Sequence, residues 1–287
     1  MTPVLGVIGG SGSAAVWLEE PTPRAIQTPY GEPSGPVLEG HVATPGGRVR
    51  ALFIPRHGEG HRLSPSHVNY RANVCAMKQL GATHLVSLSA VGSLKQELCP
   101  GDVVLVDQYI DLTKQRPATF FDAGAVAHVS LADPTCPELS GAAIDAARAA
   151  GGRVHQGGTY LCIEGPQFST RAESHLYRSW GASVIGMTAM PEARLAREAE
   201  LPYATIAFVT DYDCWAADEA AVTSADVLRV MAANRALAER VVRELAARLP
   251  PPGESPATGV LREALVTSRE HLTDDVKARL AWLLPRG

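Results

Sequence analysis

The chain has 287 residues, a formal net charge of -4 and five scattered cysteines, Cys75, Cys99, Cys136, Cys162 and Cys214. That length fills one large α/β domain or two small ones. The near-balanced charge, with no block of one sign, argues against nucleic acid as a partner, and the odd cysteine count forms neither a C-x-x-C pair nor a disulfide framework. Met1 to Ser13 lack the basic-then-apolar order of a signal peptide, and no apolar run nears the length of a membrane span, so a reducing cytoplasm is expected.

Short apolar runs bounded by glycine alternate with segments of helical period, the pattern of a sheet with crossover helices. The first predicted strand, Val4–Ile8, leads into Gly9-Gly10-Ser11-Gly12. Glycines let backbone N–H groups converge on an anion and Ser11 adds a hydroxyl, so the loop reads as an oxyanion cradle or as a plain tight turn. A dinucleotide fingerprint fits loosely through Gly10, Gly12 and Ala15, but residues 25–36 are proline-rich where that fold needs a second strand. The next strand, Val49–Ile54, ends on Arg56-His57-Gly58-Glu59-Gly60-His61. Arg56 can grip an oxyanion through two parallel N–H bonds with His57 supplying another donor; a metal site on His57 and His61 competes, though Gly58 and Gly60 disfavour the helix that would align the rings.

Residues 66–80 carry Tyr70, Val74 and Met77 at helical spacing and stop at Gly81. The strand His84–Ser89 ends in Ser87-Leu88-Ser89-Ala90-Val91-Gly92-Ser93, whose small hydroxyl residues either cap or face a ligand. Val103–Val106 is a further strand and Ala142–Ala150 an alanine-rich helix. The strand Thr159–Ile163 runs into Glu164-Gly165-Pro166-Gln167-Phe168-Ser169, where Phe168 either stacks on a planar base or plugs the core. The strand Ser183–Met187 passes through Thr188, a cap or an anion ligand, into a helix with Pro191 in its first turn.

Ala204–Val209 is the last predicted strand, and Asp211 and Asp213 follow it. Carboxylates beside a buried strand cost several kcal/mol each unless paired, on the order of the burial penalty of a charge. They read as a turn pair, as magnesium ligands, or as a pair in which one acid holds a proton at a purine five-membered ring while the other accepts from an exocyclic amine. A neighbouring carboxylate is expected to raise the pKa of Asp211. From Ser224 an apolar series keeps helical spacing to the prolines at 250–252, and Leu261–Leu284 forms a short amphipathic tail. All these motifs fall at strand-to-loop transitions, where an α/β sheet puts its ligand crevice.

In order, G-G-S-G, R-H-G, N-Y-R-A-N, S-A-x-G-S-L, P-G-D, I-E-G-P-Q-F-S-T-R-A-E-S, G-M-T-A-M-P-E and T-D-Y-D-C-W closely resemble the S-methyl-5'-thioadenosine phosphorylases, within the purine nucleoside phosphorylase family, from about Leu5 to Leu245. The resemblance implies a three-layer α/β/α fold around a mixed, largely parallel twisted sheet, with residues 1–249 as the catalytic domain. Residues 250–287 would be a linker and a helical tail that packs on the body or on a neighbouring subunit. It implies a homotrimer without metal or organic cofactor. Inorganic phosphate would be a co-substrate that cleaves S-methyl-5'-thioadenosine to adenine and 5-methylthioribose 1-phosphate, in purine and methionine salvage.

Carried over by position, the phosphate ligands are Ser11, Arg56, His57, Ser89, Ala90 through its backbone, and Thr188. Met187 lies against the ribose and Phe168 beside the base. Asp211 is the catalytic acid at the five-membered ring, Asp213 meets the 6-amino group, and His128 covers the methylthio end of an adjacent subunit's site. Ser169, Ser224 and Asp213 are the expected specificity positions, Ser224 because an apolar residue commonly lines the methylthio pocket there. Gly186 stands where many relatives carry asparagine, so one polar contact fewer is expected. The alternatives are a phosphorylase of adenosine, inosine or methylthioinosine, and a non-catalytic nucleoside-binding module. Asp213 opposes the 6-oxo substrates because a carboxylate repels a carbonyl oxygen.

Overall fold

Strict alternation of side chains builds a sheet that is apolar on both faces. Along the strand Tyr203–Tyr212, Tyr203, Ala207 and Val209 enter one core while Ala204, Ile206 and Phe208 enter the other. Each fully buried Leu, Ile or Val contributes about 1.5–3 kcal/mol, so a strand fed to two cores is held from both sides. The structure, a computed structural model, describes residues 2–10, 17–216, 224–253 and 255–284, and of residues 224–228 the backbone only. Among these, eleven strands form one sheet: β1 (Val4–Gly9), β2 (Glu19–Arg24), β3 (Val37–Thr44), β4 (Gly47–Pro55), β5 (His84–Ser93), β6 (Val103–Val106), β7 (Gln108–Asp111), β8 (Val154–Gln156), β9 (Thr159–Cys162), β10 (Val184–Gly186) and β11 (Tyr203–Tyr212). Six of their ten pairings are parallel and four antiparallel.

Helices cover both faces, which makes the three-layer α/β/α arrangement. On one side lie α1 (Tyr70–Gln79) and α4 (Glu192–Glu198), and on the other α2 (Pro137–Ala149) and α5 (Ser224–Ala246). The Asn69 side chain caps α1 by accepting from Ala72 N at 3.1 Å, so the helix starts four residues later than the periodicity suggests. α3 (Arg171–Ser179) opens on a complete capping box between Thr170 and Glu173. The seven predicted strands are all present. β2, β3, β7 and β8 were not predicted, and β2 shows why: Glu-Glu-Pro-Thr-Pro-Arg reads as a loop, yet an exposed edge strand tolerates Pro21 and Pro23.

Beyond α5, α6 (Leu261–Ala264) and α7 (Asp274–Leu280), with the segment between them, put Leu261, Leu272, Val276 and Leu280 into the core that holds Val4 and Met77. No helix among the described residues is long and apolar enough to cross a membrane.

Two irregularities in the middle of the sheet position the site. β5 lies against β11 along one edge, but its other edge is shared: His84–Ser87 pair with β1, whereas Gly92 and Ser93 pair with β10. Between Ser87 and Gly92 that edge has no strand, and the sheet forks. On the β11 edge the register slips between Val209 and Asp211, a bulge at Thr210 of the kind that re-aims the following side chains.

Candidate active site

The fork leaves backbone carbonyls facing a gap, and Arg56 fills it. Its guanidinium is only 2% exposed and donates to Leu88 O at 3.2 Å, Ile8 O at 3.1 Å, Ser87 Oγ at 2.7 Å and, from Nε, Glu192 Oε2 at 3.0 Å. Glu192 is fully buried on the first turn of α4 and also accepts from Tyr203 Oη at 3.0 Å. Burial works against the Arg56 charge, but Glu192 outweighs it and holds the guanidinium protonated. The two-pronged grip expected on an oxyanion is therefore made to Glu192. Of the five guanidinium hydrogens, one on Nη1 remains for a ligand. The sequence marks Ser87 only as one of the strand-end hydroxyls, and Glu192 was missed although the Pro191-Glu192 start of a helix was in view.

His57 is also not the donor the sequence suggested. Its Nδ1 lies 2.8 Å from Leu63 O, and its ring stacks on His61 at 4.2 Å between centroids. Burial, with Arg56 adding to it, pushes its pKa down to about 4, so the ring is neutral. A carbonyl only accepts, so the proton sits on Nδ1 and Nε2 presents a lone pair. Among the described residues no cluster of three His, Cys, Asp or Glu side chains is arranged to hold a metal ion.

Ser89 and Ala90, in the forked stretch of β5, line a cavity of ≈ 400 Å³ together with Gly10, Phe208, Thr210 and Asn234. That is within the range of small-molecule sites. Thr188 is buried on the turn from β10 to α4. Arg116 organises this turn: it donates to Met187 O and Met190 O at 2.7 Å each, to Glu164 O at 2.7 Å and to Glu164 Oε1 at 3.1 Å. It thereby ties the Met187-Thr188 turn to the Glu164 loop. A lone arginine in a loop carries no sequence signal for such a role. Ser11 lies outside the described residues, as does the side chain of Ser224.

Across the strand ends stand the two aspartates. Residues 211 and 213 share one face of β11 and its extension, and Asp213 N bonds to Ser93 O at 3.0 Å. Trp215 Nε1 donates to the same carbonyl at 2.8 Å, with the Arg178 guanidinium 3.5 Å over its ring, which pins the segment. Burial raises the Asp211 pKa; Thr210 opposes the rise and Asp213 adds to it. Thr210 Oγ1 sits 3.1 Å from Val91 O and 2.5 Å from Asp211 Oδ2. One hydroxyl proton cannot serve both acceptors at once. Thr210 therefore donates to Asp211 Oδ2 only when it does not donate to Val91 O, and among the described residues the carboxylate has no second side-chain donor in the site. Asp213 Oδ2, in contrast, is buried with no hydrogen-bond partner. Ser169 Oγ is likewise buried without a well-formed bond, although the Tyr177 hydroxyl lies close enough to act on it.

Phe168 is 86% exposed and packs little against its own chain. His128 is exposed on a loop that the tail holds, with His128 N bonded to Ala264 O at 2.8 Å and Ala127 bridged to Leu265. Gly186 leaves room for a buried tyrosine: a Cβ there would fall 1.9 Å from Tyr160 Oη.

Residues 4–247 match the family described as the Phosphorylase superfamily. The chain belongs to this superfamily. It is 47% identical over 286 residues to the S-methyl-5'-thioadenosine phosphorylase of Geobacter sulfurreducens, covering 99% of both chains. With that of Chloroflexus aurantiacus it shares 51% over 284 residues, covering 98% of this chain and 97% of the relative. Among solved structures, a methylthioadenosine phosphorylase from an antarctic soil metagenomic library superposes with a TM-score of 0.93 at 49% identity, 99% of each chain being covered. A variant of the Schistosoma mansoni adenosine/methylthioadenosine phosphorylase in complex with methylthioadenosine superposes with a TM-score of 0.79 at 37% identity, covering 86% of this chain and 91% of that one.

Proposed function

We propose that the chain is a pentosyltransferase that cleaves the N-glycosidic bond of S-methyl-5'-thioadenosine with inorganic phosphate, releasing adenine and 5-methylthioribose 1-phosphate. The observation that carries this reading is the aspartate pair: Asp211 biased toward its acid form, and Asp213 with a buried oxygen awaiting a donor. A 6-aminopurine supplies what each lacks, an acceptor for the Asp211 proton at the five-membered ring and an amino N–H for Asp213. As the bond breaks, negative charge grows on the purine, where Asp211 donates, and positive charge grows on the sugar, where phosphate approaches. The names carried by relatives at 47% and 51% identity support the same substrate.

On the phosphate side the reading assigns Ser89, Ala90, Thr188 and the Gly10-Ser11 segment, with Arg56 and His57 behind them. A neutral His57 with a bare Nε2 accepts the P–OH of monohydrogen phosphate, which leaves the other oxygens to the donors. Met187 faces the ribose and Phe168 the base. Phosphate is a co-substrate and no metal or organic cofactor takes part. The active unit is a homotrimer in which His128 covers a neighbour's methylthio group, and the five free cysteines favour a reducing cytoplasm.

The test is adenine release from methylthioadenosine with and without phosphate. Turnover that rises from background with added phosphate is expected, with methylthioribose 1-phosphate formed in equal amount. Release that ignores phosphate overturns the reading.

A further inference from the structure

Tyr160, on β9, is fully buried, and its Oη lies 3.0 Å from Ser89 Oγ. It reaches Ser89 through space that the neighbouring strand leaves open. Tyr160 pairs in parallel with Val184, so Gly186, two residues on, lies on the same face, in the direction along which a strand side chain leans. A Cβ at residue 186 would fall 1.9 Å from Tyr160 Oη and 2.6 Å from Cζ, so any other residue at 186 expels the phenol.

The backbone of Thr188 acts on the same phenol oxygen. Either hydroxyl can donate in this pair; with the phenol as donor, its proton lies toward Ser89 Oγ and the Ser89 hydroxyl keeps its own proton for a partner outside the protein. Burial pushes the Tyr160 pKa up to about 12, so the phenol retains that proton throughout the neutral range.

We propose that Tyr160 is a positioning residue for the nucleophile: its hydroxyl orders Ser89 as a donor toward the incoming phosphate and ties it to the Thr188 turn, and Gly186 is present to make room for it. This rests on the reading of Ser89 and Thr188 as phosphate ligands. The Tyr160–Gly186 pair would then supply from one strand over the polar group that an asparagine at residue 186 would bring.

The test uses the full chain, with KM for phosphate and for methylthioadenosine measured separately. Tyr160→Phe keeps the ring and removes only the hydroxyl. Its phosphate KM is expected to rise about 2- to 10-fold, the effect of one neutral hydrogen bond, with the nucleoside KM within about 2-fold of the parent. Ser89→Ala should raise the phosphate KM by at least as much. If Ser89→Ala raises it and Tyr160→Phe does not, the positioning role is wrong while the site assignment stands. If Ser89→Ala leaves it unchanged, the site assignment fails and this proposal with it.

A Tyr160→Phe effect spread equally over both KM values would mark a merely structural role and also overturn it. Thermal shift on adding inorganic phosphate alone gives a reading should turnover be too low, with a smaller shift expected for Tyr160→Phe. Gly186→Ala should lower the midpoint sharply in the parent and only slightly in a Tyr160→Leu background. Equal losses in both would refute the account of Gly186.

Discussion

Asp213→Asn probes the unpaired oxygen directly. In the parent, Asp213 Oδ2 is buried without a partner; on the proposed reading it accepts from a 6-amino group and repels a 6-oxo group. An amide has one acceptor and one N–H2 donor on the same stem, so it can turn its donor to a carbonyl oxygen and satisfy it. A mismatched buried polar contact costs about 1–3 kcal/mol, which is roughly a 5- to 150-fold change in relative kcat/KM. The variant should therefore gain on methylthioinosine relative to methylthioadenosine by that factor. The loss on methylthioadenosine should be the smaller part of the change, because the amide oxygen can still accept. A second consequence follows from Asp211, whose pKa is raised in part by Asp213. Without that charge the Asp211 acid form persists to a lower pH only, so the alkaline limb of the rate profile should move toward acid for both substrates. Initial rates on the two nucleosides at saturating phosphate give the ratio, and a ratio within 2-fold of the parent's refutes the assignment of Asp213 to the 6-position.

Asp211→Asn should abolish turnover on both nucleosides by orders of magnitude, yet stabilise the fold at neutral pH. Its carboxyl titrates higher in the folded chain than in the unfolded one, so the ionised form costs stability above the folded pKa, and that cost vanishes as pH falls below about 3.9, the unfolded value. The gain in thermal midpoint over the parent should be present at pH 7 and shrink toward pH 4; equal midpoints at pH 7 would contradict it. Arg56→Ala and Glu192→Ala each strand a buried charge and should lower the unfolding free energy by about 3–5 kcal/mol, with the double variant losing less than the sum. Additive losses in urea titrations would show that the pair does not act as a unit. For His57, a phosphate dianion brought to its bare Nε2 should raise a pKa that burial holds near 4, so phosphate binding should take up protons, and more in the parent than in His57→Gln. Calorimetry in buffers of different ionisation enthalpy reads this, and identical buffer dependence in the two proteins excludes it.

The order of elements was legible because it follows from burial. Runs such as Val103–Val106 alternate between two cores, and no other local structure satisfies that pattern as well. α3 was missed although Thr170 and Glu173 spell a capping box, which shows a signal present and unused. β2 could not be read, since an exposed edge strand has no apolar pattern to give it away. The aspartate pair was legible for the same reason as the strands: acids at the end of a buried run call for a partner, and Asp213 Oδ2 lacks one.

What holds the site belongs to a different kind of information. Arg56 was assigned to an oxyanion because a strand-end arginine beside a histidine suits one. In the fold its hydrogen bonds go to Leu88 and Ile8 carbonyls left open by the fork in β5, and to a glutamate 136 residues away. No window of sequence contains the fork, because it arises from β1 and β10 each taking part of one edge of β5. The same holds for Arg116 and Tyr160, each an isolated letter until the strands around it are in register. A forked sheet cannot close its own backbone hydrogen bonds, so buried polar side chains must do it, and the gap they line lies at the strand ends, where an α/β sheet puts its ligand crevice. On the proposed reading, the defect in the sheet and the binding of the nucleophile have one physical origin.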